Sequence, residues 1–112
     1  MITVTIVAAL HAYFLYLEMF KWEAPRTRAA FGTTESFAKS SKVLAANQGL
    51  YNGFLAAGLA FALYTVNTPA LIFCLSCVIV AGLYGAATVS RRILLIQGLP
   101  AALALIAVLA KV

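Results

Sequence analysis

The chain has 112 residues, of which 64% are hydrophobic and 10% are charged, whereas soluble domains are roughly 45 to 50% apolar and about 25% charged. This composition excludes an ordinary water-soluble fold and predicts an all-α integral membrane protein. The net charge of +5 does not indicate nucleic-acid binding, because the basic residues lie at the ends of apolar runs and not in a stripe with exposed aromatic residues.

Four apolar stretches are each long enough to cross a bilayer, whose hydrocarbon core of about 30 Å needs roughly 20 helical residues. The predicted spans are residues 2–22, 43–65, 70–88 and 93–111. The chain is therefore expected to be a single transmembrane domain, a bundle of four helices. A secretory signal is not expected, because residues 1–16 lack a basic start and apolar character returns three more times.

Basic residues lie in two of the three connections between the predicted spans. The first connection carries Lys21, Arg26, Arg28, Lys39 and Lys42, and the last carries Arg91 and Arg92. The short turn of residues 66–69 carries no charge, and its proline, Pro69, is predicted to lie in the first turn of the next helix. Because cytoplasmic loops are the ones rich in Lys and Arg, both basic loops are predicted in the cytoplasm and both termini on the non-cytoplasmic side of the inner membrane.

Residues 23–42 form the largest predicted connection. Pro25 predicts a break after the first span. Thr34 is a suitable helix cap followed by an acidic first turn, so a short cytoplasmic amphipathic helix is predicted before the second span. With Phe31 and Phe37 dipping into the interface, this segment is interpreted as a surface-lying anchor, and alternatively as a cytoplasmic lid.

Polar side chains inside the spans are the candidate functional residues, because they are costly in hydrocarbon and usually face protein or a cavity. They are His11, Glu18, Asn47, Gln48, Asn52 and Gln97. On the first span, His11 and Glu18 are two helical turns apart on one face, which Trp22 continues. On the second span, one arc is predicted to hold the polar residues Asn47, Gln48, Tyr51 and Asn52.

The opposite arc of the second span carries small residues. Gly49 and Gly53 form a G-x-x-x-G pattern, which lets a neighbouring backbone approach closely. This helix-packing motif fits either a helix of the same chain or a homodimer.

All six polar residues fall in the predicted cytoplasmic half or at the midplane, and the outer halves of spans two to four are nearly purely apolar. The sequence therefore predicts a polar pocket in spans one and two, joined by Gln97 of span four, open to the cytoplasm and closed outward. The alternative is that these residues only hydrogen-bond to one another and fix helix packing. Glu18 could instead pair with Lys21 at the interface, and His11 could donate to a backbone carbonyl.

No metal or cofactor site is predicted. The spacing of residues fits no metal-ligand pattern, no nucleophile has a partner, and no glycine loop could cradle a phosphate. Cys74 and Cys77 lie inside an apolar run, where cysteine usually behaves as a small hydrophobic residue.

Two strings of the first half carry a resemblance to a known family. They are Leu-Glu-Met-Phe at residues 17–20 and Asn-Gln-Gly-Leu-Tyr-Asn-Gly at residues 47–53. The chain resembles, over its whole length, the small bacterial and fungal membrane proteins catalogued as domain of unknown function 1304. The resemblance implies four spans in a bacterial inner membrane, with a histidine matching His11, but no reaction and no cofactor.

Three functions fit these observations. The first is a proton-linked transporter or exporter of a small solute, in which protonation of Glu18 or His11 is coupled to binding and a homodimer encloses the path. The second is a membrane-embedded enzyme or binding protein for a lipid-like substrate, with Glu18 and His11 as acid and base and the amides as polarising donors. The third is a structural or accessory subunit. The sequence assigns no catalytic residue.

Overall fold

The computed structural model describes residues 2–111, and every regular element in that range is helical. The elements are α1 (Ile2–Phe20), α2 (Pro25–Phe31), α3 (Glu35–Ser40), α4 (Lys42–Tyr64), α5 (Thr68–Thr88), a π-helical segment (Leu94–Gly98) and α6 (Leu99–Leu109). The predicted all-α fold class is confirmed.

Two of these helices, α1 and α5, are long and apolar enough to cross a membrane by length and composition. Helix α4 has 23 residues, but three amide side chains, Asn47, Gln48 and Asn52, lower its hydropathy. The π-helical segment and α6 together form a shorter apolar helix, Leu94–Leu109. Length and composition thus support membrane association through α1 and α5.

The chain divides into two units, one formed by residues 10–54 and the other by the rest of the chain. The 10–54 unit contains α2, α3, the second half of α1 and the first half of α4. The second unit contains the start of α1, the end of α4, and all of α5 and α6. Each unit has its own internal contacts.

The second unit has a core of small and branched apolar side chains. The buried members are Val4, Val7, Leu59, Ala62, Leu71, Leu75, Val78, Ala101, Ala104 and Val108. The turn between α4 and α5 is closed locally, because the Asn67 side chain accepts a hydrogen bond of 3.1 Å from the Ala70 backbone N–H. Pro69 lies in the first turn of α5, where its missing N–H costs no hydrogen bond, as the sequence predicts.

Two glycines bring α5 and the π-helical segment into backbone contact. A Cβ on Gly82 would lie 2.9 Å from both Cα and N of Gly98. Pro100 follows two residues later and has no N–H to donate to the Ile96 carbonyl, so the regular α-helical ladder is interrupted there. Over the predicted span of residues 93–111, the structure thus has a π-helical segment, Leu94–Gly98, followed directly by α6, Leu99–Leu109.

In the 10–54 unit, the connection between α1 and α4 is more ordered than the sequence predicts. The predicted break after the first span is present, since α1 ends at Phe20. Pro25 then begins α2, a helix that was not predicted. Proline suits this position because its φ is already helical. Helix α2 ends at Phe31 and is capped by Gly32, which has a φ of 68°. The predicted cap of α3 is confirmed, since Thr34 Oγ1 accepts a hydrogen bond of 3.1 Å from the Phe37 N–H.

Candidate functional site

The helices α1 and α4 are in close contact at Gly49. A Cβ on Gly49 would lie 2.8 Å from Met19 Cγ, 3.1 Å from Glu18 Cβ and 3.2 Å from the Leu15 carbonyl oxygen. One turn further along α4, Gly53 faces the Leu15 side chain. The G-x-x-x-G pattern therefore packs against α1 of the same chain, and the homodimer through these glycines that the sequence left open is not supported. We call this contact the α1–α4 seam.

The α1–α4 seam contains a buried pair of polar side chains. Glu18 is 9% exposed and Asn52 is 8% exposed, and Asn52 Nδ2 donates a hydrogen bond of 2.5 Å to Glu18 Oε1. Within residues 2–111 no ion pair joins Glu18 to Lys21, since the ion pair found there is Lys42 with Glu23. The interfacial Glu18–Lys21 pair considered from the sequence is therefore not formed.

The chemistry of this pair follows from its composition. A buried carboxylate is costly unless it is paired with a cation or is fully hydrogen-bonded, and the partner of Glu18 is a neutral amide. An amide offers both donor N–H groups and an acceptor oxygen. Asn52 can thus satisfy the carboxylate as a donor and the protonated acid as an acceptor, so Glu18 can gain or lose a proton without breaking an ion pair.

His11 lies near the middle of α1, and Glu18 lies near the end that leads into α2. Its side chain is 1% exposed, and its ring meets the ring of Phe14 edge-on with centroids 5.4 Å apart. Seven helical residues correspond to a rise of about 10 Å, so His11 and Glu18 are too far apart to share a hydrogen bond.

The predicted polar arc of α4 is divided between two sides of the helix. Asn47, Gln48 and Tyr51 are exposed, and the Tyr51 ring contacts Phe54 with centroids 5.8 Å apart. Asn52 instead faces α1, because its side chain is buried and donates a hydrogen bond to Glu18. The prediction that these four residues share one polar arc is therefore corrected: Asn52 is buried against α1, whereas Asn47, Gln48 and Tyr51 are exposed.

Trp22 was predicted to share a helix face with Glu18. In the structure it contacts residues of the connection between α1 and α4. Its indole Nε1 donates a hydrogen bond of 3.1 Å to Ser41 Oγ, and its ring lies edge-on to the Phe31 ring with centroids 5.0 Å apart. These contacts hold the end of α1 to the residues that precede α4.

A second set of contacts in this connection was not predicted. Glu23 pairs with Lys42 at 3.3 Å, and the Glu23 carbonyl accepts a hydrogen bond of 3.1 Å from Arg28 Nε. The sequence does contain a signal for this ion pair, because the acid Glu23 and the base Lys42 lie at opposite ends of the connection.

Gln97 belongs to the π-helical segment of the second unit and is half-buried. Two apolar grooves also belong to the second unit and do not include Glu18. One is lined by Ile2, Thr5, Ile6 and Leu63, and the other by Thr3, Ile6, Leu99, Pro100 and Leu103. Residues 2–111 contain no group of three or more His, Cys, Asp or Glu side chains that could hold a metal ion.

These features define an all-helical protein with two helices able to cross a membrane and a buried carboxyl–amide pair between α1 and α4. Residues 5–109 match the family described as protein of unknown function (DUF1304), and the chain belongs to this family. The resemblance stated from the sequence is thereby confirmed.

A curated relative supports the same assignment. The uncharacterized protein YpaA of Lactococcus lactis subsp. lactis (strain IL1403) is 37% identical over 98 residues, which cover 84% of this chain and 82% of that protein. No solved structure matches the chain.

Proposed function

We propose that the chain is a multi-pass inner-membrane protein with four spans and both termini outside the cytoplasm. The length and composition of α1 and α5 support two of the spans. The 23 residues of α4 and the apolar helix Leu94–Leu109 supply two further segments of suitable length. The clustering of basic residues in two connections supports the orientation.

Within this arrangement, the protein carries a small solute in exchange for, or together with, a proton bound at Glu18. The observation that carries the proposal is the buried hydrogen bond between Glu18 and Asn52. Acidic side chains inside membranes commonly belong to proton relays and substrate pathways. A carboxyl that is held by a neutral amide can be protonated or can bind a solute without first releasing a cation.

A second copy of the chain completes the transport path in this proposal. Glu18 and Asn52 are only 9% and 8% exposed at the α1–α4 seam, so the path in this proposal needs further polar surface. Asn47, Gln48 and Tyr51 provide an exposed polar face on α4, and polar groups in a span are usually covered by protein or by water. A homodimer formed along that face would place polar surface on both sides of a path.

The test is solute-dependent proton movement in proteoliposomes that contain a trapped pH-sensitive dye. A panel of small amines, carboxylates and sugars is added outside, and the internal pH is followed. At least one class should drive proton movement in the wild type, and Glu18→Gln should abolish it. Glu35→Gln is the matched control, because it removes the same charge from an exposed acid outside the spans.

The transport proposal fails if the Glu18→Gln variant moves protons at the wild-type rate, or if no class in the panel has an effect on the wild type. Equal losses in the Glu18→Gln and Glu35→Gln variants would also contradict it, because a general loss of negative charge would then explain the result.

An accessory role is the second candidate, and the same exposed face of α4 favours it. If Asn47, Gln48 and Tyr51 contact the helices of another membrane protein, purification in mild detergent should yield that protein at a fixed stoichiometry. A homodimer without a second protein would support the transport proposal instead.

A further inference from the structure

The α2–α3 segment, residues 25–40, exposes apolar rings and buries smaller residues. Thr27 is 2% exposed and Ala38 is 0% exposed, whereas Phe31 and Phe37 are 40% and 55% exposed. In contact with water, large aromatic side chains are usually the more buried ones. The outer face of this segment therefore suits an environment that is partly apolar, such as the boundary between lipid headgroups and acyl chains.

The same segment and its flanks carry an excess of positive charge. Residues 21–42 contain five basic and two acidic side chains, a net charge of +3. Glu23 pairs with Lys42, and its backbone carbonyl accepts from Arg28. Three exposed cations, Lys21, Arg26 and Lys39, make no ion pair within residues 2–111.

Glu35 is the remaining acid of the segment and lies in the first turn of α3, where negative charge stabilises a helix. Its single negative charge does not offset the three cations, so the exposed side chains of the segment keep a net positive charge. The surface thus combines cationic donors with exposed phenyl rings.

We propose that the α2–α3 segment binds anionic phospholipids. The exposed groups that contact lipid in this proposal are Lys21, Arg26 and Lys39 with the rings of Phe31 and Phe37. Guanidinium and ammonium groups donate charge-assisted hydrogen bonds to lipid phosphate oxygens, and the rings enter the boundary region. This inference rests on the membrane placement proposed above and not on proton-linked transport.

The single tryptophan of the sequence reports on this surface without a label. Trp22 contacts Phe31 and Ser41 at the edge of the segment. The full-length protein is reconstituted into phosphatidylcholine vesicles containing a fixed fraction of either brominated phosphatidylglycerol or brominated phosphatidylcholine, and quenching of Trp22 is compared. The anionic quencher should be at least about twofold more effective, since basic residues near a membrane attract anionic lipid.

A pair of double variants separates a local site from a general charge effect. Arg26→Gln with Lys39→Gln should bring the two quenchers to equal effect. Arg91→Gln with Arg92→Gln removes the same charge from the other basic connection and should leave the wild-type preference unchanged.

Equal quenching by the two lipids in the wild type would overturn the proposal, as would an equal loss of preference in both double variants. Absence of quenching by either lipid would overturn it together with the membrane placement. Free inorganic phosphate, added at the same concentration as the anionic lipid, should not reduce the preference, and a reduction would show an ion site instead of a lipid surface.

Discussion

Asn52 is the residue on which the proposed role of Glu18 depends, because its amide supplies the hydrogen bond that a buried carboxyl requires. Glu18 and Asn52 are separated by 34 positions in the chain, and they meet because Gly49 lets α1 and α4 approach. The hydrogen bond and the glycine contact are thus parts of one local arrangement.

Replacing Asn52 by Ala should destabilise the protein, since it leaves the Glu18 carboxyl buried without its donor. The expected loss is about 1 to 2 kcal/mol, the range of polar contacts in membranes and of buried groups left unpaired. Unfolding in mixed micelles, followed by Trp22 fluorescence, measures the change. Asn47→Ala is the matched control on the exposed side of α4 and should change stability by less than about 0.5 kcal/mol. Equal losses for the two variants would contradict the seam as described.

The three glycines of α4 should respond to alanine in a fixed order. Gly49→Ala should destabilise by about 1 to 3 kcal/mol through overpacking, because its Cβ meets three α1 residues, including the Leu15 carbonyl oxygen at 3.2 Å. Gly53→Ala meets the end of the Leu15 side chain, which can move, and should cost less.

Gly58→Ala is the control, because its Cβ would lie 3.4 Å from Cys74 Sγ, an ordinary contact. Removing a glycine from a helix interior gains up to about 1 kcal/mol, so this variant should be neutral or stabilised. The same unfolding assay gives the order, and a destabilised Gly58→Ala with a tolerated Gly49→Ala would contradict the packing described for the seam.

At the level of elements, the contact between α5 and the π-helical segment predicts an asymmetry. A Cβ on Gly82 would meet two backbone atoms of Gly98 at 2.9 Å, whereas a Cβ on Gly98 would meet the end of the Leu94 side chain at 3.1 Å. Backbone cannot yield without moving a helix, so Gly82→Ala should cost more than about 2 kcal/mol and Gly98→Ala clearly less. Thermal unfolding followed by circular dichroism tests this, and equal effects would mean that the two backbones can separate.

Elements set by local chemistry were predictable from the sequence, and those set by distant contacts were not. Thr34 caps α3 and Pro69 lies in the first turn of α5, as predicted, because both effects act within one turn. Helix α2 was missed because proline both interrupts and begins helices, and the choice depends on where α1 ends.

The orientation of Asn52 shows the same limit at the candidate site. A helical wheel places Asn52 at the border between the polar and the glycine side of α4, and the direction that is buried is chosen by α1. The residues Glu18, Asn52, Gly49 and Gly53 were all identified from the sequence as important. Their arrangement around one seam depends on a packing partner that the periodicity of α4 does not contain.

For the whole molecule, the distribution of positive charge sets the expected orientation. The connection of residues 21–42 carries five basic side chains and the connection of residues 89–93 carries two. Both connections must lie on one side if four segments cross the membrane. In our proposal this side faces anionic lipid, which contacts the exposed rings of Phe31 and Phe37 and the cations of the same segment.

Reporter fusions test this orientation directly. Alkaline phosphatase fused after the last residue should be active, because it folds only outside the cytoplasm, and a fluorescent protein fused there should be dark. Fusions at Ser90 should give the opposite pair of results. Arg91→Gln with Arg92→Gln should leave the pattern unchanged, because the first connection retains its five basic residues and dominates the charge bias. If the terminal and Ser90 fusions report the same side, residues 94–109 do not cross the membrane and the four-span arrangement is wrong.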